Sequence, residues 1–186
     1  MKRLIILMIL TALIQSLAIS QMTERDTVFK RFRSVSIQNN LAITLQSNIK
    51  DLKDITIKSS NDHYYLKKGS FIRADSIDIE TNKKGLIIAI TFVYPGTDYQ
   101  SMQKTYTKPL GKGKEYVYAS EEFRIDVTQW NDEKTIFELV KLVTEKSIMI
   151  YSVITDKKLY NEKVKNRFDI YKSAGPLEIV KRLAFN

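Results

Sequence analysis

The chain carries one histidine, no cysteine, 30 basic residues and 21 acidic ones. The residues to weigh for chemistry are therefore His63, the carboxylates and the lysines. A zinc-type site needs several His and Cys ligands, which a lone histidine cannot supply, and thiol catalysis and disulfides are excluded outright. His63, in Asn61-Asp62-His63-Tyr64-Tyr65, could act as the base of a Ser-His-Asp arrangement. No Gly-x-Ser-x-Gly elbow accompanies it, however, and its setting reads as a turn. Among the acids, Asp78 and Glu80 lie two residues apart, Asp75 precedes them, and Glu121-Glu122 precede a run containing Asp126. Acid–base work needs one carboxyl in an apolar pocket, whereas alternating Ser76, Asp78 and Glu80 reads as the wet face of a hairpin. Asp126 shares a face with Trp130 and is the best acidic candidate under a third-ranked reading, a hydrolase of unknown substrate. No cofactor or metal is expected. Gly111-Lys112-Gly113-Lys114 lacks the Gly-x-x-x-x-Gly-Lys-Ser/Thr spacing of a phosphate loop.

Charge and aromatic residues carry the remaining signal. Lys104, Lys108, Lys112 and Lys114 fall within eleven residues that include no acid, with Tyr106, Tyr116 and Tyr118 close by. Such a patch suits an anionic glycan or a lipid headgroup. A second basic segment spans Lys157 to Lys172, softened by Glu162 and Asp169. Trp, Tyr and Arg are the residue types that anchor protein interfaces, so Trp130, Arg124, Tyr116 and Tyr118 are the expected contacts for a protein partner. The leading expectation is a non-enzymatic binding or envelope-accessory domain engaging that partner through an exposed sheet face. The basic patch is the alternative.

These residues need elements to hold them. Phe29 to Leu45 is β-leaning after a loose polar start over Gln21 to Thr27, and a short helix over Asn48 to Asp54 would put Ile49 and Leu52 on one face. Ile55 and Ile57 flank Thr56 as a short strand. Ile77 and Ile79 alternate with polar residues, Asn82-Lys83-Lys84-Gly85 makes a turn, and Leu86 to Tyr94 is a β-branched and aromatic run, together a hairpin. The second strand is apolar on both faces and so belongs in the middle of a sheet. Tyr99, Met102, Tyr106 and Leu110 have helical spacing behind a cap at Thr97 or Asp98. Three β-like runs follow, Tyr116 to Trp130, Thr135 to Val143 and Ser147 to Ile154, the first with Phe123, Ile125 and Val127 on a buried face and Arg124, Asp126 and Thr128 on a wet one. Asp156 to Lys172 reads as loop or irregular helix, and Pro176 opens a short terminal helix. The fold class is α+β: a two-layer sandwich, mostly antiparallel sheet (hairpin plus meander), with two or three short helices on one side.

Residues 1–20 have the pattern of a secretory signal. Lys2 and Arg3 precede an apolar run from Leu4 to Ile14, and Ala18-Ile19-Ser20 supplies small residues for cleavage before Gln21. The run is shorter than the roughly 20 apolar residues of a membrane span. Cleavage would leave 21–186 as a single α+β domain of 166 residues, periplasmic or secreted, and lower the formal charge from +9 by two. Intracellular nucleic acid is then not a partner.

The hairpin running into a helix that ends Tyr106, Leu110, Gly111, Lys112, followed by a Trp-terminated strand and two more strands, resembles small exported α+β domains. The β-lactamase inhibitory protein and the small outer-membrane-assembly lipoprotein are the families it is similar to, over Ser76 to Ile154. The resemblance implies a binding module and not an enzyme. The absence of a cysteine departs from the lipoprotein, and no functional residue carries over.

Overall fold

The computed structural model describes residues 22–37, 41–58, 62–66, 74, 76–95 and 98–159. The expected signal segment, nearly all of the second basic segment and the terminal helix at Pro176 lie outside the described residues. A helix, α1, covers 22–33 and runs directly into the strand β1 (Ser34–Ser36), which pairs with β2 (Ala42–Thr44) as a separate two-stranded ribbon. A 3-10 turn follows at Ile49–Leu52. The strands β3 (Thr56–Lys58), β4 (His63–Leu66), β5 (Ser76–Thr81) and β6 (Ile87–Pro95) lead to the helix α2 (Tyr99–Leu110). The chain then enters β7 (Lys114–Ala119), β8 (Phe123–Asn131), β9 (Thr135–Thr144) and β10 (Ile148–Asp156). One eight-stranded sheet results, in the order β3-β4-β5-β6-β10-β9-β8-β7 with every pairing antiparallel.

Local chemistry explains most of this. The β5–β6 hairpin turns where Gly85 takes φ +76°, and Asn82 Oδ1 accepts from the amides of Lys84 and Leu86. As its two-faced apolarity predicts, β6 lies fourth in the sheet between β5 and β10, with Ile87, Ile88 and Ile90 fully buried. At roughly 1.5–3 kcal/mol per buried side chain of this size, these three residues are a major part of what holds the sheet centre. Asp98 caps α2 by accepting from Gln100 N, and Gly111 at φ +76° ends it.

Three expectations are corrected. The loose start and β-leaning Phe29 belong to α1, which packs Phe29 and Phe32 onto the sheet with Phe32 and Phe137 ring centroids 4.3 Å apart; burial on this sheet outweighs the weak intrinsic β-preference of Phe and Val. The run from Tyr116 to Trp130 is two strands and not one, because the Ser120 hydroxyl accepts from the amides of Glu122 and Phe123 and turns the chain. Asp78 is not on a wet face: it is 5 % exposed. The short helix expected over Asn48 to Asp54 forms only as the 3-10 turn Ile49–Leu52, capped by Asn48, with Ile49 and Leu52 buried.

Apolar residues gather on both faces of the sheet. On the face that receives α1 and α2, Trp130, Phe137, Leu139, Ile150 and Ile154 meet Phe29 and Leu110. The opposite face holds Phe123, Ile125, Val127, Val140, Leu142, Tyr151 and Val153, with Tyr116 and Tyr118 packed against them. Buried Asp156 ties the ribbon and α1 to the sheet, accepting from Gln46 Nε2 at 2.7 Å and lying 3.7 Å from Arg33. Among the described residues no helix is long and apolar enough to cross a membrane.

Candidate functional site

The tight connection between α2 and β7 shapes the site. Gly111 O accepts from Trp130 Nε1 at 2.8 Å. Two residues on, the chain crosses β8 so closely that a Cβ at Gly113 would lie 2.6 Å from Thr128 Cγ2 and 2.9 Å from Trp130 Cε2. The glycines of Gly111-Lys112-Gly113-Lys114 are therefore steric: the first supplies a left-handed helix stop, the second a close crossing.

This crossing leaves a cleft of about 710 Å³ between one face of α2 and the start of β7. Lys104 and Lys108 reach it from successive turns of the helix, and Lys112 from the connection. Their spacing of four residues puts the two helical lysines on one face. The floor is Thr128, only 2 % exposed. Its hydroxyl is hydrogen-bonded to Tyr99 Oη at 2.9 Å and accepts from Gln103 Nε2 at 2.8 Å, while the same amide nitrogen donates to Glu115 Oε1 at 3.1 Å. Burial pushes the Tyr99 hydroxyl above its ordinary pKa; its bond to Thr128 opposes the rise, and the charges of Asp126 and Glu115 reinforce it. Tyr99 thus supports the floor of the cleft through its hydrogen bond to Thr128.

Three of the four lysines grouped by the sequence share this cleft. Lys114 does not: it pairs with Gln129 in the β7–β8 ladder, on the sheet face opposite α2. The aromatic and arginine set is dispersed. Trp130 is 2 % exposed and sits inside the core, stacked on Phe137 at 5.6 Å and near Tyr106 at 6.2 Å, so it cannot reach a partner while α2 is in place. Tyr116 and Tyr118 pack on the opposite face. Arg124 is exposed on the helix-bearing face, where its Nε donates to Asp126 Oδ1 at 2.8 Å. These four residues do not form one surface. Gln103 was not singled out by the sequence, and Thr128, expected on the wet face of its strand with Arg124 and Asp126, is instead buried because α2 covers that end of β8. Gln103 was legible in principle, since it shares a helical face with Gln100 and Thr107.

A second cluster lies at the other end of the sheet. His63 is a strand residue of β4 and not a turn residue, and its Nδ1 is 3.1 Å from Asp78 Oδ2. Asp78 orients the imidazole, as the acid of a hydrolytic triad does. Its other oxygen is buried and makes no hydrogen bond among the described residues.

Comparison with protein-family models, with curated proteins and with solved structures finds no match for this chain.

Proposed function

We propose that this protein is an exported, non-enzymatic binding domain and that its ligand is an anionic glycan held in the cleft between α2 and β7. One observation carries the reading: Lys104, Lys108 and Lys112 line a single concavity. Three ammonium groups around a half-enclosed site raise the local potential for an anion. Gln100 adds an amide, and the Thr105 hydroxyl, which donates to Ser101 O, can accept from a sugar hydroxyl. The amide and hydroxyl groups beside the lysines suit a phosphorylated, sulfated or carboxylated sugar. The exported setting rests on residues 1–20 of the sequence, and the non-enzymatic reading agrees with the resemblance to small exported binding domains. The two-layer arrangement, with the helices on one side of the sheet, belongs to the same proposal and is supported by Phe29, Phe32 and Tyr106 packing with Phe137.

Calorimetric titration with a sulfated oligosaccharide tests it. Binding should weaken steeply as salt rises, because exposed charges more than about 8 Å apart are largely screened at physiological ionic strength. The triple variant Lys104→Gln, Lys108→Gln, Lys112→Gln should lose binding, whereas Lys114→Gln should keep it. Equal loss in both variants would reduce the cleft to undirected surface charge. Exposed Val117, 62 % accessible, favours a second reading in which a protein meets the open part of the sheet.

A further inference from the structure

We propose that β7 joins two copies of this chain edge to edge, its free side pairing antiparallel with the same strand of a second molecule about a two-fold axis at Val117. β7 is the outermost strand of the sheet among the described residues. The backbone bond from Ser120 N to Phe123 O fixes which of its groups face inward. Antiparallel pairs alternate between hydrogen-bonded and non-hydrogen-bonded. Counting back from Ser120 in the β7–β8 register, Tyr118, Tyr116 and Lys114 bond to β8. Glu115, Val117 and Ala119 therefore direct their amides and carbonyls outward. All three residues are exposed, and Val117 is one of the few large apolar side chains that are among the described residues.

One register pairs the three outward residues entirely with one another. With Val117 opposite Val117 of the second copy, Glu115 faces Ala119 and Tyr116 faces Tyr118. Every outward amide then meets an outward carbonyl, sheet faces are preserved, and no like charges lie opposite one another. Edge strands that stay solitary are shielded by proline, bulges, inward charges or shortness. The opposite edge, β3, is only three residues long and ends in Lys58. β7 is six residues long, and its two charges, Lys114 and Glu115, stand at its first two positions, leaving Tyr116 to Ala119 uncharged. Two-fold pairing would also present both α2–β7 clefts on the same side of a continuous sheet, although the pairing does not depend on what those clefts bind.

The chain has no cysteine, so a single introduced thiol reports the contact. Hydrogen-bonded antiparallel partners have Cα atoms about 5.5 Å apart, inside the disulfide range. Under mild oxidation Val117→Cys should form a disulfide-linked dimer, while Ile57→Cys, exposed on the opposite edge, should stay monomeric. Light scattering of the unmodified full chain should show a doubled molar mass that persists at high salt, where glycan binding fails. Val117→Lys should restore the monomer by setting two like charges against each other. Val117→Pro should do the same by removing an outward amide that the β7–β8 ladder does not use, and it serves if the lysine variant does not fold. A monomer at every concentration up to the millimolar range, or equal cross-linking of the two cysteine variants, would overturn the proposal. A monomer that instead captures an extended peptide along β7 would overturn it as well.

Discussion

Trp130 and Arg124 stand on the same strand and the same face of the sheet, yet one is 2 % exposed beneath α2 and the other is exposed beyond its reach. The covered region holds Trp130, Thr128, Tyr106 and Tyr99 in a fixed aromatic and hydroxyl floor. The open region holds Arg124, Asp126 and Val117. Strand periodicity places Trp130, Thr128, Asp126 and Arg124 on one side of β8; where the helix comes to rest decides which become core and which stay available to a partner. An aromatic residue in a strand is thus as readily a helix anchor as a contact point.

The contrast can be broken most directly at Trp130. Replacing Trp130 by Ala should cost about 3–5 kcal/mol, as large-to-small changes at buried aromatic sites do, because it opens a cavity against Phe137 and removes the donor to Gly111 O. Urea unfolding measures this. A loss below about 1 kcal/mol would mean that α2 is not held to the sheet through this residue.

Tyr94 sharpens the same contrast through pH. Burial, with the neighbouring Tyr106 adding to it, raises the Tyr94 hydroxyl from 10.0 to about 12. The unfolded chain therefore releases this proton at lower pH than the folded one. The stability it confers is complete below pH 10 and is lost as pH rises towards 12. Tyr94→Phe should unfold less steeply across that window in an alkaline titration followed by circular dichroism. Parallel curves for the two proteins would place Tyr94 in water.

The smallest effect belongs to the open region. Arg124→Ala removes an exposed ion pair with Asp126 and should change stability by no more than about 0.5 kcal/mol. A cost near that of Trp130→Ala would show that the open region is as much core as the covered one.

Much of the frame is legible in the residues. The β5–β6 hairpin follows from alternation and a four-residue turn, the centrality of β6 from apolarity on both faces, and α2 from Asp98, Tyr99, Met102 and Tyr106. The turn at Ser120 is not, because Tyr116 to Trp130 has no proline or glycine to mark a break and the side-chain bonds of one serine supply it. Nor is α1: Phe29 and Phe32 suit a strand as well as a helix until the sheet that receives them exists. Of the candidate site, four closely spaced lysines were visible, but not that Lys114 belongs to the other face.

Sequence by itself determined the chemistry that can be present: one histidine, no thiol, a basic surplus, and strands and helices whose periodicities are local properties of the chain. Tertiary structure decided the rest, because burial, convergence and edge exposure depend on residues far apart in sequence. Asp78 meets His63 only when β4 pairs with β5, Lys112 joins Lys104 only when Gly113 lets the chain cross β8, and Val117 becomes an open edge only because β7 lies outermost in the sheet among the described residues.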